Sequence, residues 1–360
     1  MIKLATLFTG IGAIEEAFKK ENIDTDIVFA CDNGEREIAF DVNSIKDDLH
    51  NKDISQGNDL IANMYLTLSG KENKMEKQYL ANFNVRKGNF YQDIRLLDAT
   101  PYKKEHIDLL LGGSPCQSFS VIGKRGGFED TRGTLFFEYA RVVKECQPKV
   151  FIYENVLGML NHDHGRTWDT IQNVFNELGY NIKYNVMNAK NYGIPQDRKR
   201  IFVIGTKKEN TFEKPKEMEL TKEIKDFLDD NVDAKYYLGQ KGFEFVTNPK
   251  YKNRAKVNGK VMMCQKANQQ FNWNGDFVFE PLEKVKDRKD VLARAYVGNY
   301  NGQIGVTRKL TPRECLRLMG FDDDYKIVVD DNMAWRQSGN AIVVNVLEEI
   351  IKELIKKGLL

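Results

Sequence analysis

The chain has 360 residues, with 54 Lys and Arg against 52 Asp and Glu, a formal net charge of +2, 41% hydrophobic and 29% charged residues. That length fits two domains or one large domain with an insertion, and the composition excludes a disordered or collagen-like chain. No apolar run approaches the ~20 residues of a membrane helix, the opening Met1-Ile2-Lys3-Leu4-Ala5-Thr6 is too short and strand-like for a secretory signal, and the charge balance selects no partner.

Short apolar strands alternate with amphipathic helices in the first half, the pattern of an α/β protein whose parallel sheet carries helices on both faces. Strands are expected at 4–9, 27–31, 107–112 and 150–154, with a closing pair at 182–187 and 201–205 around the loop 191–198. Ile14, Ala17 and Phe18, at i, i+3 and i+4, place a helix after the first strand. Residues 47–87 are polar, rich in Asn and Lys, and longer than a connection needs; one or two surface helices are expected there, including 59–68.

From 207 to 309 the alternation stops. Within 234–310, 15 Lys and Arg stand against 6 Asp and Glu, interleaved with Tyr236, Tyr237, Phe243, Tyr251, Phe271, Trp273, Tyr296 and Tyr300. Such a stretch is either solvated surface or a nucleic-acid site. The final segment, 345–356, sets Val346, Leu347, Ile350, Ile351, Leu354 and Ile355 on one stripe, a helix packing onto a core. The expected layout is a discontinuous domain of 1–206 and 310–360 with a basic module, 207–309, inserted.

Five cysteines (Cys31, Cys116, Cys146, Cys264, Cys315) are scattered and form no CxxC pair, and His162 with His164 is the one conceivable metal pair. No metal site is expected, and the thiols read as reduced, as in the cytoplasm.

Four segments carry chemistry. Phe8-Thr9-Gly10-Ile11-Gly12 sits between a strand and a helix, where glycines let the backbone turn tightly and approach a ligand. Asp32 follows Gly12 by 20 residues, the spacing of a carboxylate on ribose hydroxyls. The third glycine of a dinucleotide fingerprint is replaced by Glu15, so this segment is either an adenosyl site or a structural turn. Gly112-Gly113-Ser114-Pro115-Cys116-Gln117-Ser118 ends another strand, presenting Cys116 either as an exposed thiol or as a small buried side chain. Glu154-Asn155-Val156 ends a third strand, where Glu154 is either an acid–base partner or a helix-terminal carboxylate. Gln196, Arg198 and Arg200 of Gln196-Asp197-Arg198-Lys199-Arg200 share one side of an extended segment, fit for a planar or anionic ligand or merely a solvated charge run.

Taken in order, FTGIG (8–12), SPCQSFS (114–120), ENV (154–156), QDRKR (196–200), RKLTPRECLRLMGF (308–321) and QSGNAI (337–342) resemble the motif ladder of the DNA cytosine-5 methyltransferases, the bacterial restriction–modification type in particular. The resemblance covers almost all of 1–205 and 306–360 and leaves the inserted module unmatched. It implies a Rossmann-like class I methyltransferase sheet with a smaller inserted target-recognition domain. It also implies transfer of a methyl group from S-adenosyl-L-methionine to C5 of a flipped-out cytosine in a short duplex sequence, leaving S-adenosyl-L-homocysteine. Cys116 would add covalently to C6 of the ring, and Glu154 would hold the N3/N4 edge and supply a proton. Arg198 would stabilise the base, with Arg200 and Gln196 organising that edge.

For the cofactor, the resemblance points to Phe8, Gly10, Ile11, Gly12, Asp32, Asp93, Ile94, Pro115, Asn340 and Ala341. Asn33 departs from the family, in which many relatives carry a larger apolar or aromatic residue after the ribose acid. A base inside a duplex must be extruded to reach a thiol, and residues 118–132, with Gly123, Gly126 and Gly127, suit a loop closing over DNA. Contacts to double-stranded DNA are expected from Gln117, Ser118, Lys124, Arg125, Arg254, Lys256, Lys266 and Arg294, and by type alone from Gln265, Gln269, Gln270 and Asn299. The expected setting is a cytoplasmic, nucleoid-associated monomer of a bacterium or phage, with no membrane partner and with a cognate restriction endonuclease acting separately. Rival readings are a tRNA cytosine-5 methyltransferase, which has little use for a hundred-residue recognition module, and a catalytically silent DNA-binding regulator, against which Cys116, Glu154 and Arg198 argue.

Overall fold

The computed structural model describes residues 1–115 and 135–360. The chain divides into two compact units: Met1–Met187 with Lys199–Lys216 and Val346–Leu360, and Asn188–Arg198 with Glu217–Asn345.

The first unit carries β1 (Ile2–Leu7), α1 (Ala13–Lys20), β2 (Thr25–Cys31), α2 (Val42–Leu49), α3 (Ile54–Ser69), α4 (Lys74–Leu80), β3 (Phe90–Tyr91), β4 (Leu109–Gly112), α5 (Leu135–Cys146), β5 (Val150–Val156), α6 (Arg166–Glu177), β6 (Asn181–Asn188) and β7 (Lys199–Thr206). Its strands form one sheet in the order β3-β2-β1-β4-β5-β7-β6. β1 to β5 are parallel, and β7 runs antiparallel to β5. The inner strands are apolar without interruption because both of their faces are covered: Leu109, Leu110, Leu111, Phe151, Ile152 and Tyr153 are all buried. β6, at the edge, exposes Asn181, Lys183 and Tyr184. The sheet grows outward from β1 in one direction and from β4 in the other, so their carboxyl ends open the crevice where open α/β sheets bind ligands.

Each expected strand lies within two residues of its observed bounds. β1 stops at Leu7 rather than 9 because Phe8 adopts a left-handed φ of 51°. The two-residue β3 carries no periodic signal and was not anticipated.

The second unit carries α7 (Gln240–Val246), β8 (Ala255–Val257), β9 (Gly275–Pro281), α8 (Leu282–Val285), α9 (Lys289–Leu292), β10 (Gly298–Tyr300), β11 (Gln303–Lys309), α10 (Pro312–Arg317) and α11 (Asp331–Asn340). Its sheet runs β10-β11-β9-β8, antiparallel except for β8 on β9. Residues 310–345 cluster with this sheet, whereas the motif ladder groups them with the catalytic segments. A buried ion network explains the attachment. Arg308 on β11 donates to Glu280 on β9 (Nε to Oε1, 3.0 Å) and to both oxygens of Glu314 on α10 (2.9 Å each). Glu314 also closes the capping box of α10 on Thr311.

The last helix, α12 (Val344–Lys356), buries Val346, Leu347, Ile350, Ile351 and Leu354 as the sequence stripe requires. Ile355, expected on that stripe, is instead exposed in the final turn. Among the described residues no helix is long and apolar enough to cross a membrane, and Cys31, Cys146, Cys264 and Cys315 carry thiols rather than disulfides.

Candidate active site

The carboxyl ends of β4 and β5 meet at Gly113. A Cβ at that position would lie 2.7 Å from the Glu154 carbonyl oxygen and 2.8 Å from Glu154 Oε2, so only glycine lets the carboxylate lie over the backbone leading to Ser114 and Pro115. Asn155 fastens the same loop from β5. Its Nδ2 donates to the Ser114 carbonyl (2.9 Å) and lies 3.1 Å from the Tyr153 hydroxyl. Ser114 Oγ in turn sits 2.7 Å from the Tyr153 hydroxyl. Asn155 is a site residue that sequence reasoning passed over; its position inside a strand-end motif beside Glu154 was the available signal. Cys116, Gln117, Ser118, Lys124, Arg125 and the expected closing loop lie outside the described residues. Pro115, just before them, is exposed.

Arg200 reaches Glu154 from β7. In the antiparallel register Glu154 faces Phe202, and Arg200 faces Val156, which makes Glu154 and Arg200 diagonal neighbours on one face. Arg200 Nε lies 3.1 Å from Glu154 Oε1, with 18% and 14% of the two side chains exposed.

The other two polar residues of the 196–200 segment do not present free faces to a ligand, and this corrects the expectation of three convergent side chains. Gln196 is fully buried; its Nε2 donates to the Leu318 carbonyl (2.9 Å) and its Oε1 accepts from the Gln265 N–H (2.9 Å). Arg198 is 4% exposed and donates to the carbonyls of Gln265 (2.7 Å), Gly339 (3.1 Å) and Ala341 (2.8 Å). Both belong to the second unit, whereas Arg200 belongs to the first. The extended alternation is real, but each residue finds its own partners.

The second group of residues surrounds the end of β1. Phe8, half-buried against the sheet core, has φ 51°, Gly10 56° and Gly12 81°. A non-glycine residue held at positive φ stores strain of the kind found at functional sites. A Cβ on Gly12 would fall 2.2 Å from the Phe83 ring, whereas a Cβ on Gly10 meets nothing within 4 Å. Asp32, at the end of β2, accepts from Gly10 N (2.9 Å, Oδ2) and from Gly34 N (2.8 Å, Oδ1). Burial pushes its carboxyl above the usual range, and the two N–H donors oppose that rise. Each oxygen keeps acceptor capacity beyond its backbone bond, which fits a pair of ribose hydroxyls.

Asn33 holds the turn after Asp32, accepting from Glu35 N (3.0 Å) and donating to the Arg36 carbonyl (3.2 Å). Asp93, expected near adenine, is buried and paired with Arg95 (2.6 Å). Ile11 and Ile94 are buried as well. Asn340 and Ala341 belong to the second unit, at the end of α11.

Of the expected DNA contacts, Arg254, Lys266 and Arg294 are exposed, while Lys256 is half-buried and donates to the Val261 carbonyl (2.7 Å). Arg254 Nη2 donates to the Asn272 carbonyl (3.0 Å), and its guanidinium lies over the Phe245 ring. Gln265, Gln269 and Gln270 are corrected: all three are buried. Gln269 Nε2 donates to Gln265 Oε1 (2.8 Å), to the Trp335 carbonyl (3.1 Å) and to Ser338 Oγ (2.9 Å), an internal amide ladder rather than a reading surface.

Comparison with known proteins places this geometry among relatives. A family model described as C-5 cytosine-specific DNA methylase matches residues 64–356. The chain is 36% identical to Type II methyltransferase M.HpaII of Haemophilus parainfluenzae, over 79% of this chain and 81% of that protein. It is 36% identical to Type II methyltransferase M.HhaI of Haemophilus parahaemolyticus, over 68% of this chain and 74% of that protein. Among solved structures, S. pombe Dnmt2 methyltransferase superposes with a TM-score of 0.65 at 18% identity, covering 99% of each chain. That last likeness speaks for the fold, the class I methyltransferase sheet.

Proposed function

The chain belongs to the C-5 cytosine-specific DNA methylase family, and from that premise we propose that it methylates cytosine through a covalent adduct between Cys116 and C6, with S-adenosyl-L-methionine as donor. It is a DNA (cytosine-5-)-methyltransferase of the restriction–modification type, acting on double-stranded DNA. The observation that carries the mechanistic reading is the Glu154 carboxylate, packed over Gly113 three residues before Cys116 and held by Arg200.

Cytosine C5 is too weak a nucleophile to take a methyl group unaided. Attack of the Cys116 thiolate on C6 forms an S–C6 bond and moves the ring electrons toward C5. Glu154 holds the N3/N4 edge and gives a proton to N3 as negative charge builds there. S-adenosyl-L-methionine, when bound, would supply an electrophilic methyl group for C5, with S-adenosyl-L-homocysteine as the by-product. Loss of the C5 proton to a base, return of the N3 proton to Glu154 and expulsion of the thiolate then restore the aromatic ring. Arg200 fixes the Glu154 carboxyl, while Arg198 and Gln196 act at a distance by fastening their own segment. Asp32 suits the ribose of the donor and the Gly10–Gly12 turn its amino-acid end, and the motif resemblance extends these contacts to Pro115, Asn340 and Ala341.

Residues 1–206 with 310–360 are proposed as the catalytic domain and 207–309 as the target-recognition domain. The Type II relatives support a host-protecting role beside a separate restriction endonuclease, and a cytoplasmic monomer extruding its target base is the simplest form consistent with them.

The test is a trap. Duplex DNA carrying 5-fluorocytosine at the target, with S-adenosyl-L-methionine, should yield a stable protein–DNA adduct whose crosslinked peptide contains Cys116. The same duplex should leave Cys116→Ser unlinked, and tRNA should not be methylated. Turnover by Cys116→Ser, or an adduct elsewhere, overturns the mechanism.

A further inference from the structure

Between β2 and β3 lie 58 residues, where a crossover between neighbouring parallel strands needs about 10–12. The excess folds as α2, α3, α4 and the turn after them; its apolar side chains gather in a small cluster around Ile61 and Tyr65, joined by Leu96 from beyond β3, but its buried polar groups are directed elsewhere. They go to the strand ends that frame the methyl-donor site. Tyr79 of α4, fully buried, donates its hydroxyl to Glu15 Oε1 (2.7 Å). Glu15 lies in the first turn of α1, with the hydroxyl of Thr6 3.1 Å from the same oxygen and that hydroxyl 2.9 Å from Thr9 Oγ1. The Phe83 ring fills the space that a Cβ on Gly12 would need.

Asn73 divides its amide between two tasks. Its Oδ1 caps α4 by accepting from Met75 N and Glu76 N (3.1 Å each), while its Nδ2 donates to the Asp32 carbonyl (2.8 Å) and to Gln92 Oε1 (2.8 Å). Tyr65 of α3, also fully buried, donates to Asp93 Oδ2 (2.5 Å).

Thus Glu15 in the helix turn that follows the glycines, the Asp32 strand end and Asp93 each receive one hydrogen-bond donor from the same inserted segment, and the glycine turn itself receives the Phe83 ring. A segment serving only as surface elaboration has no reason to send its polar groups to three separate points of one site. We propose that 54–83 forms a second wall of the methyl-donor site, with Tyr79, Asn73 and Tyr65 as positioning residues that hold those three points in binding geometry. This rests on the donor reading given above.

Burial pushes Glu15 up to about 7, with the Tyr79 hydroxyl pulling it down, and burial, followed by the charge of the neighbouring Glu15, keeps the Tyr79 phenol far above its usual range. Tyr79 is therefore a neutral donor at any working pH, and its bond to Glu15 strengthens as that carboxyl ionises.

The experiment titrates S-adenosyl-L-homocysteine calorimetrically into the full-length protein and into Tyr79→Phe, Asn73→Ser and Tyr65→Phe. Serine caps a helix about as well as asparagine, so Asn73→Ser removes the donor and keeps α4. Each variant should weaken binding about tenfold, the size of one lost bond to a charged or buried acceptor. KM for S-adenosyl-L-methionine should rise alike, while kcat and the dissociation constant for duplex DNA stay within about twofold. Leu68→Ala, on the exposed side of α3, should bind as wild type. A purely structural role would lower the melting temperature and leave the dissociation constant of the folded fraction unchanged. That result, or equal losses for S-adenosyl-L-homocysteine and DNA, overturns the proposal. Should Tyr79→Phe fail to fold, Asn73→Ser and Tyr65→Phe decide it. Wild-type protein that does not bind the product overturns the donor reading itself, and the ratio of variant to wild type tests the wall separately.

Discussion

Arg200 stands diagonally across two strands from Glu154, Nε to Oε1 at 3.1 Å. The pair is partly shielded from water, so its geometry is worth more than that of a surface ion pair. Arg200→Ala should lower kcat roughly 10–100-fold, and Glu154→Gln roughly 10²–10⁴-fold, the range of a lost general acid. Arg200→Lys should recover only part of the loss, because an ammonium cannot reproduce the planar fork. By contrast Arg198→Lys should show itself first in a lower melting temperature, since its guanidinium serves three backbone carbonyls. Single-turnover rates and thermal melts on the same preparations separate the two arginines; a lower kcat with an unchanged melt for Arg198→Lys would put that residue back at the substrate.

The two glycines of the turn should respond differently to alanine. Both have positive φ, a cost of roughly 1 kcal/mol for any residue with a Cβ. Only Gly12→Ala also drives a methyl group into the Phe83 ring. Gly10→Ala should therefore retain measurable product binding, and Gly12→Ala should lose it by more than tenfold beyond that. Calorimetric titration of the two variants checks the order; equal effects would mean that φ alone governs the turn.

Asp276 gives a pH dependence of known sign. It is 3% exposed, accepts one bond from Met263 N (2.9 Å, Oδ2), and burial pushes its carboxyl up to about 7 from an ordinary 3.8. Below about pH 4 the carboxyl is protonated in both folded and unfolded chains. Between pH 4 and 7 the unfolded chain ionises while the folded one holds its proton, so stability falls as pH rises through that window. Its size is on the order of a few kcal/mol. Asp276→Asn keeps the acceptor for Met263 and removes the titration. Its advantage in melting temperature over wild type should grow from pH 5 to pH 7.5; a constant difference would show that Asp276 does not titrate there.

Binding to duplex DNA should weaken as salt rises, because each neutralised phosphate releases counterions. Lys266→Ala and Arg294→Ala, both at exposed positions, should each lower the slope of log affinity against log salt by about 1. Gln269→Ala should leave that slope alone and lower the melting temperature, since its amide is spent inside the second unit. A slope unchanged in both charge variants would move the DNA surface elsewhere.

The strand ends that frame the site could be read from the chain because parallel strands buried on both faces must be continuously apolar, and the residues following them are then forced to the sheet edge. That is why Asp32 and Glu154 stand where the alternation put them. Three things were hidden. Residues 47–87 read as polar surface, since Tyr65, Asn73 and Tyr79 are single side chains in a hydrophilic stretch and their partners lie between 19 and 64 positions away. Period alone showed that Gln196, Arg198 and Arg200 share a side but not that the first two are consumed by carbonyls more than 60 residues distant. The glutamines at 265, 269 and 270 have the composition of base readers, and only the tertiary ladder reveals them as internal.

The boundary between the two compact units falls at 187/188, 198/199, 216/217 and 345/346, so the eleven residues 188–198 are an island of the second unit within the sequence of the first. Replacing 217–345 alone with a foreign segment would deprive Gln196 and Arg198 of the Leu318, Gln265 and Gly339 carbonyls to which they donate. An exchange that keeps these bonds has to carry both pieces.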